Sequence, residues 1–216
     1  MPALAANTAI IMWNTADPGG FESALGTDEA DLALSNLGGI TITASSVQKG
    51  TNPNDLTEAN IGIRNTTDAV QVLRIIAGAN GFFGPSDAFT LTGTVGGRLG
   101  GYDLTGSFFA DQTNSLNGTG FSINGVDIGN FDSGNLLGPA SFAFNGFGTD
   151  ALTGSYGLAE SLTLTLQPGA TVFVQGMSMD ASAVPEPSTW AMGILGFGLI
   201  AAMGWKRSRK DRLATI

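Results

Sequence analysis

The sequence predicts an all-β fold: an antiparallel β-sandwich or jelly-roll-like ectodomain, followed by one C-terminal transmembrane helix. Three observations carry this expectation. Apolar and polar residues alternate in short runs, the period of a half-buried strand. Turn signals separate those runs every ten or so residues. The end of the chain departs from both patterns, with seventeen uncharged residues over 189–205 and a cationic cluster after them.

The elements follow in order. Ala3-Leu4-Ala5 has the small-x-small form of a secretory cleavage site, but the charged and apolar regions that belong before it are missing. Residues 1–6 are therefore expected to be the remnant of a signal peptide whose start lies upstream, and 7–180 the ectodomain. Thr27 to Leu37 reads as a helix, with Asp28, Glu29 and Asp31 in its first turn and Gly38 past its end. Ile40 to Thr43, Ile61 to Ile63 and Phe89 to Val95 alternate as strands. Ala69 to Ile76 carries apolar residues on both parities and reads as a strand covered on both faces, with a short helix as the alternative. Ser161 to Leu166, with three leucines on one face, is the clearest strand; Phe142 with Phe144 and Val172 with Val174 extend the pattern. Turns are expected at Asp17-Pro18-Gly19-Gly20, at Gly50 to Asp55, at Gly96-Gly97 within the glycine-rich run to Gly101, at Asn117-Gly118, Asn124-Gly125 and Gly129-Asn130, and at Pro168-Gly169.

Composition removes several chemistries. The chain has no cysteine, so it has no disulfide staples, thiol chemistry or thiolate metal sites. It has no histidine, the commonest general base, metal ligand and pH switch. Residues 1–184 carry Lys49, Arg64, Arg74 and Arg98 against sixteen acids, a net charge of −12, which disfavours nucleic acid as a partner. Glycine is plentiful, at 32 of 216 residues, and favours turns over helices.

Carboxylates are the remaining candidates for catalysis. A glycosidase needs only two acids, and Glu22, Glu29, Glu58 and Glu160 are available, though none stands in a motif. The expectation is that the protein is not an enzyme. Asp127, Asn130, Asp132 and Asn135 form an oxygen-rich stretch of the kind calcium takes, but its spacing matches neither the EF-hand loop nor the glycine-aspartate nonapeptide repeat, and turn chemistry, which explains it without a metal, is the favoured reading. No other cofactor is expected. A carbohydrate-binding module needs exposed aromatics, and Trp13, Tyr102 and Tyr156 are the candidates.

The tail is physically distinct. The 189–205 run would span about 25 Å as a helix, close to the ~30 Å hydrocarbon core. Trp190 and Trp205 stand at its ends, where indole prefers the membrane interface. Gly193, Gly196 and Gly198 form a small-residue stripe. Lys206, Arg207, Arg209, Lys210 and Arg212 make residues 206–216 a cytoplasmic tail by the positive-inside rule, which puts everything before Ser188 outside. Within the linker 181–188, Pro185 and Pro187 fix an extended segment around Glu186.

Val184-Pro185-Glu186-Pro187-Ser188, the glycine-rich apolar run and the Lys206-to-Lys210 cluster together resemble the PEP-CTERM sorting signal of bacterial surface proteins. The resemblance covers the tail alone. It implies recognition of Val184, Pro185, Glu186 and Pro187 by an exosortase, a membrane-embedded cysteine transpeptidase, and cleavage near the motif. It further implies an inner-membrane intermediate, a mature protein at the cell surface or in the extracellular matrix, and association with exopolysaccharide. Leu162 to Val174 resembles the last hairpin of such ectodomains. The reading is a non-enzymatic exported surface protein; the alternative is a carbohydrate-binding module or polysaccharide hydrolase held at the surface.

Overall fold

The structure is a computed structural model and describes residues 8–17, 20–33, 35–43, 45–49, 55–58, 61–113 and 125–182, together with Leu195 and Phe197. The chain divides into two compact units, Met1–Ala183 and Val184–Ile216. The described elements of the first unit are all strands. In order they are β1 (Thr8–Asn14), β2 (Phe21–Gly26), β3 (Glu29–Leu32), β4 (Ser35–Leu37), β5 (Ile40–Ile42), β6 (Ser45–Lys49), β7 (Asp55–Glu58), β8 (Ile61–Asn65), β9 (Gln71–Phe83), β10 (Ser86–Leu99), β11 (Tyr102–Asp111), β12 (Val126–Asp132), β13 (Ser141–Leu152), β14 (Ser155–Leu166) and β15 (Thr171–Ser182).

They form two antiparallel sheets. One has six strands in the order β12-β11-β14-β9-β1-β2. The other has nine and is built around β15, which pairs with β10 on one side. Its other side is shared by β8 near the N-terminal end and β7 near the C-terminal end. From there β7 leads to β6 and β3, β8 leads to β5 and β4, and β13 flanks β10. A single apolar core lies between the sheets, with Ile10, Leu73, Leu162 and Leu164 from one and Ile63, Phe89, Val95 and Val174 from the other.

Alternation decides which side chains enter that core. In β14 every second residue from Leu158 to Leu166 is buried, and those between are half-buried. In β9 Leu73 and Ile75 face inward while Arg74 is exposed and Val70, just before the strand, is 48% exposed. This strand is covered on one face, not on both as its apolar run implied.

The helix expected over Thr27 to Leu37 does not form. β3 and β4 occupy that stretch, because Ala30 and Leu32 alternate with exposed Glu29 and Asp31 and are buried at period two. Gly38 ends no helix; with Gly39 it makes the two-residue turn of the β4–β5 hairpin, both at positive φ (56° and 91°) as a type I′ turn requires. Gly129-Asn130 is not a turn but lies within β12. Gly96 and Gly97 lie within β10, and the chain turns later, at Gly100 and Gly101. Gly97 passes under the Tyr102 ring, where a Cβ would come within 2.4 Å of Cε1.

Pro168-Gly169 is a turn, with Ala170 N donating to Gln167 O at 3.0 Å. It does not close a hairpin. β14 belongs to the six-stranded sheet and β15 to the nine-stranded one, so the turn carries the chain between sheets. Asn65 holds this corner: its Nδ2 donates to Ala69 O, Leu166 O and Gln167 O at 2.7, 3.2 and 3.1 Å. The signal-peptide remnant 1–6 and the turns expected at 50–54 and 117–118 lie outside the described residues.

Candidate functional site

The four glutamates considered for catalysis separate into two classes. Glu22 and Glu29 lie on the edge strands β2 and β3, with Glu29 exposed and Glu22 half-buried. Glu58 and Glu160 are sealed in the core, 0% and 1% exposed. Glu160 takes its place in the inward row of β14, between Leu158 and Leu162, with Ala77 and Phe108 as cross-strand neighbours. Glu58 ends β7 in the opposite sheet, flanked by Val47 and Met177. The two carboxyls meet across the sandwich.

Their electrostatics follow from that burial. Glu58 is held well above the usual carboxyl range, first by burial and then by the charge of Glu160. Glu160 is raised to about 7 by burial, partly offset by a hydrogen bond with Glu58. As two carboxylates, both Glu58 oxygens and Glu160 Oε1 have no donor. One proton on Glu58, donated to Glu160, supplies one. Cations on neighbouring strands are engaged elsewhere: Lys49 Nζ donates to Gly81 O at 2.8 Å and lies over the Phe82 ring, and Arg74 lies over Trp13. Two acids sharing a proton could in principle do acid–base chemistry, but with both side chains sealed, no substrate reaches them.

An open cleft of about 190 Å³ lies elsewhere, between the edge strands β12 and β13. Leu91 and Phe108, both buried, line it, and Asn130 and Asn145 stand on its walls. Phe131 and Phe144 stack at its side with ring centroids 4.0 Å apart. Each ring lies over a glycine, Gly106 and Gly93 respectively, where a Cβ would come within 2.3 and 2.4 Å. The ring faces are thus spent on packing within the fold.

Asp127, Asn130 and Asp132 do not form a loop; they are exposed along β12, paired with Phe109, Ser107 and Thr105. Asp127 Oδ1 accepts from Gly129 N at 2.9 Å, and Asp132 Oδ1 from Gly134 N at 2.7 Å, the local turn bonds of Asp. Asn135 is exposed beyond the strand. Among the described residues no group of three acids could hold a metal ion.

Tyr102 and Tyr156, two of the three aromatics proposed to meet a carbohydrate, are fully buried. Tyr102 Oη donates to Ala140 O at 3.0 Å, and Tyr156 stacks on Phe82 at 5.8 Å. Both belong to the core because Tyr102 opens β11 on its inward parity and Tyr156 stands against Phe82 of β9. Trp13 is half-buried.

The sorting segment lies in the second unit. Val184, Pro185, Glu186 and Pro187, the interface residues Trp190 and Trp205 and the basic cluster all fall outside the described residues. Leu195 and Phe197 are helical and exposed. Among the described residues no helix is long and apolar enough to cross a membrane.

An antiparallel all-β body followed at once by a separate proline-punctuated, apolar and basic segment defines the class: a folded domain with a C-terminal sorting signal. Residues 183–210 match the family described as the PEP-CTERM protein-sorting motif, so the chain carries that motif at its C-terminal end. No curated protein matches the sequence. Among solved structures, the body is similar to a carbohydrate-binding module, TmCBM61, in complex with beta-1,4-galactotriose. That likeness has 8% identity and a TM-score of 0.39, over 67% of this chain and 83% of the other. A structure of infectious bursal disease virus, Gx strain, is similar at 10% identity and a TM-score of 0.15, over 88% and 71%. At these scores neither likeness establishes a shared fold or ligand.

Proposed function

We propose that the protein is an exported, non-enzymatic bacterial surface or matrix component, delivered by its tail. The all-β body lies outside the cytoplasm. Residues 189–205 cross the inner membrane once, and Lys206, Arg207, Arg209, Lys210 and Arg212 stay in the cytoplasm. An exosortase-type transpeptidase reads Pro185-Glu186-Pro187 and cuts near it, and the released body joins the surface or matrix, in association with exopolysaccharide. The observation that carries this reading is the sorting-motif match over residues 183–210.

The non-enzymatic part rests on the glutamates. The two that meet are sealed from solvent, and the two that reach the surface lie on separate edge strands of different sheets.

The decisive measurement is the C-terminal mass of the protein recovered from cell surface and medium, in the host and in a strain lacking its exosortase. Termination between Pro185 and Ser188 in the host alone supports the proposal. An intact Ile216 in both strains overturns it. Glu186→Gln should leave synthesis unchanged and slow processing, read as accumulation of the membrane-bound precursor.

A further inference from the structure

β7 ties a group of strands to the rest of the nine-stranded sheet. β3, β6 and β7 lie side by side, and among the described residues their backbone ladder joins that sheet only through the pairs of β7 with β15, from Glu58↔Met177 to Asp55↔Asp180. On the same side of β15, the pairs with β8 stop at Val174. Gln175 and Gly176, between the two ladders, pair with neither strand. Gly176 is at a φ of 59°, and the register of β15 with β10 shifts at the same place. The β7 ladder is thus short and set off from its neighbour by an irregular step.

Both acids of β7 stand against another acid. Asp55 is in register with Asp180, and Thr57 Oγ1 donates to Asp55 Oδ1 at 3.2 Å. Glu58 meets Glu160 across the core, and as carboxylates both Glu58 oxygens and Glu160 Oε1 lack a donor. Among the described residues no cation faces this pair. On β6, Val47 lies beside Glu58, while Lys49 donates to Gly81 O and lies over Phe82. On β15, Met177 lies beside Glu58, and Asp180 is exposed. On β14, Leu158 and Leu162 flank Glu160, and Tyr156 stacks on Phe82. On β9 and β11, Ala77 and Phe108 lie beside Glu160; Arg74 is exposed over Trp13, Asp103 is half-buried beside Thr165, and Asp111 accepts from Thr113 N. β1 carries no titratable residue, and the acids of β3, Glu29 and Asp31, are exposed.

We propose that β7 is a proton-dependent latch. While Glu58 and Glu160 hold their protons, β3, β6 and β7 stay closed on β15. When those protons are lost, the three strands separate from β15 as a unit and water reaches the pair. Closed, the two carboxyls lie in an apolar surround and keep protons that they give up in water. The closed form therefore holds more protons than the open one. Each pH unit above the ordinary carboxyl range favours opening by up to about tenfold per carboxyl. Asp55, raised by burial and then by Asp180, acts in the same sense at the other end of β7. Opening uncovers the pairing positions of β15 from Met177 to Asp180 and the apolar row Ala30, Leu32, Val47 and Leu56. The latch is a property of the body and does not depend on processing of the tail.

Amide hydrogen exchange on the full-length protein in detergent, corrected for the intrinsic rate at each pH, tests it. Between pH 5 and pH 7 the amides of β6 and β7 should lose protection by roughly a hundredfold or more. At pH 7 they should be less protected than the amides of β8 in the same sheet. Glu58→Gln combined with Glu160→Gln, a neutral pair of similar size, should cut the loss to less than about tenfold while the circular dichroism is unchanged. Equal protection of β6, β7 and β8 at pH 7 overturns the proposal, because the strands then open only with the whole body. So does protection of β6 and β7 that stays constant with pH. Both of these outcomes are read on the native chain and stand whether or not the double variant folds. A loss as steep in the folded double variant as in the native chain also overturns it.

Discussion

Each proton taken up by Glu58 and Glu160 in the folded state but released in the unfolded chain ties stability to pH. Both are raised above the ordinary carboxyl range, so the folded protein binds more protons than the unfolded one. Their contribution is fully present below pH about 4.5, the unfolded range, and is lost as pH rises through about 7, where Glu160 ionises. Asp55 acts in the same direction, raised by burial and then by Asp180 opposite it on β15. The melting temperature should therefore be higher at pH 5 than at pH 8. Glu160→Gln should remove Glu160's share of that slope and stabilise the protein at pH 8 by roughly 3 kcal/mol, the worth of a shift from its ordinary value to about 7, while Glu58, raised first by its own burial, keeps a slope of the same sign. A flat profile in the native protein would show that the pair is hydrated and independent. Asn65→Ala should cost about 2–3 kcal/mol in denaturant unfolding, since three carbonyls lose a donor and Thr67 loses its acceptor. Half of the acid pair was legible in the sequence: extending the alternation of Ser161 to Leu166 back by one residue puts Glu160 on the leucine face. Glu58 was not, because Asp55 to Glu58 is too short a run for periodicity to assign a face, and nothing local says which distant strand will lie opposite.

Strands are easier to foresee than their partners. The runs at Ile61, Phe89 and Ser161 fall within strands of the structure, and the run from Ile40 to Thr43 covers β5 and passes its end by one residue. The acids and glycine around Thr27 to Leu37 imitate helix-end signals, but burial of Ala30 and Leu32 against the core outweighs them. Pro168-Gly169 announces a turn and says nothing about which sheet follows, so in the sequence the corner between β14 and β15 looks like a hairpin. The aromatic cleft is invisible there for a related reason: Phe131 and Phe144 come from different sheets and meet only once β12 and β13 lie edge by edge. That stack gives the next prediction. Gly106→Ala would press a methyl against the Phe131 ring, which cannot yield because Phe144 backs it. The expected loss is about 1–3 kcal/mol, measured by chemical denaturation, and Phe131→Leu in the same chain should recover part of it. Additive losses in the double variant would show that the ring does not bear on the glycine.

On the scale of the whole molecule, charge and order along the chain set behaviour. The body at −12 repels itself, so the compact state should gain from screening. Raising the salt from about 0.01 M to 0.15 M shortens the screening length from about 30 to about 8 Å. The melting temperature at pH 8 should rise over that range; a fall would mean that specific ion pairs outweigh the general repulsion. The sorting signal was the most legible part of the chain, because its three components are contiguous and need no tertiary partner to be recognised. The body's role was the least legible, since sandwich cores record packing and not ligands. The topology also bears on how such a protein carries load. β15 is the central strand of the nine-stranded sheet and ends at Ser182, immediately before the sorting motif. A pull applied at Ser182 would therefore enter the body along β15. Its ladders to β10 on one side and to β7 and β8 on the other lie across the direction of pull, so their hydrogen bonds share the force in shear and must fail together. A body held at Ser182 would be held by the strand whose removal takes the sheet with it, so the load would meet a mechanical clamp and would not peel an edge away.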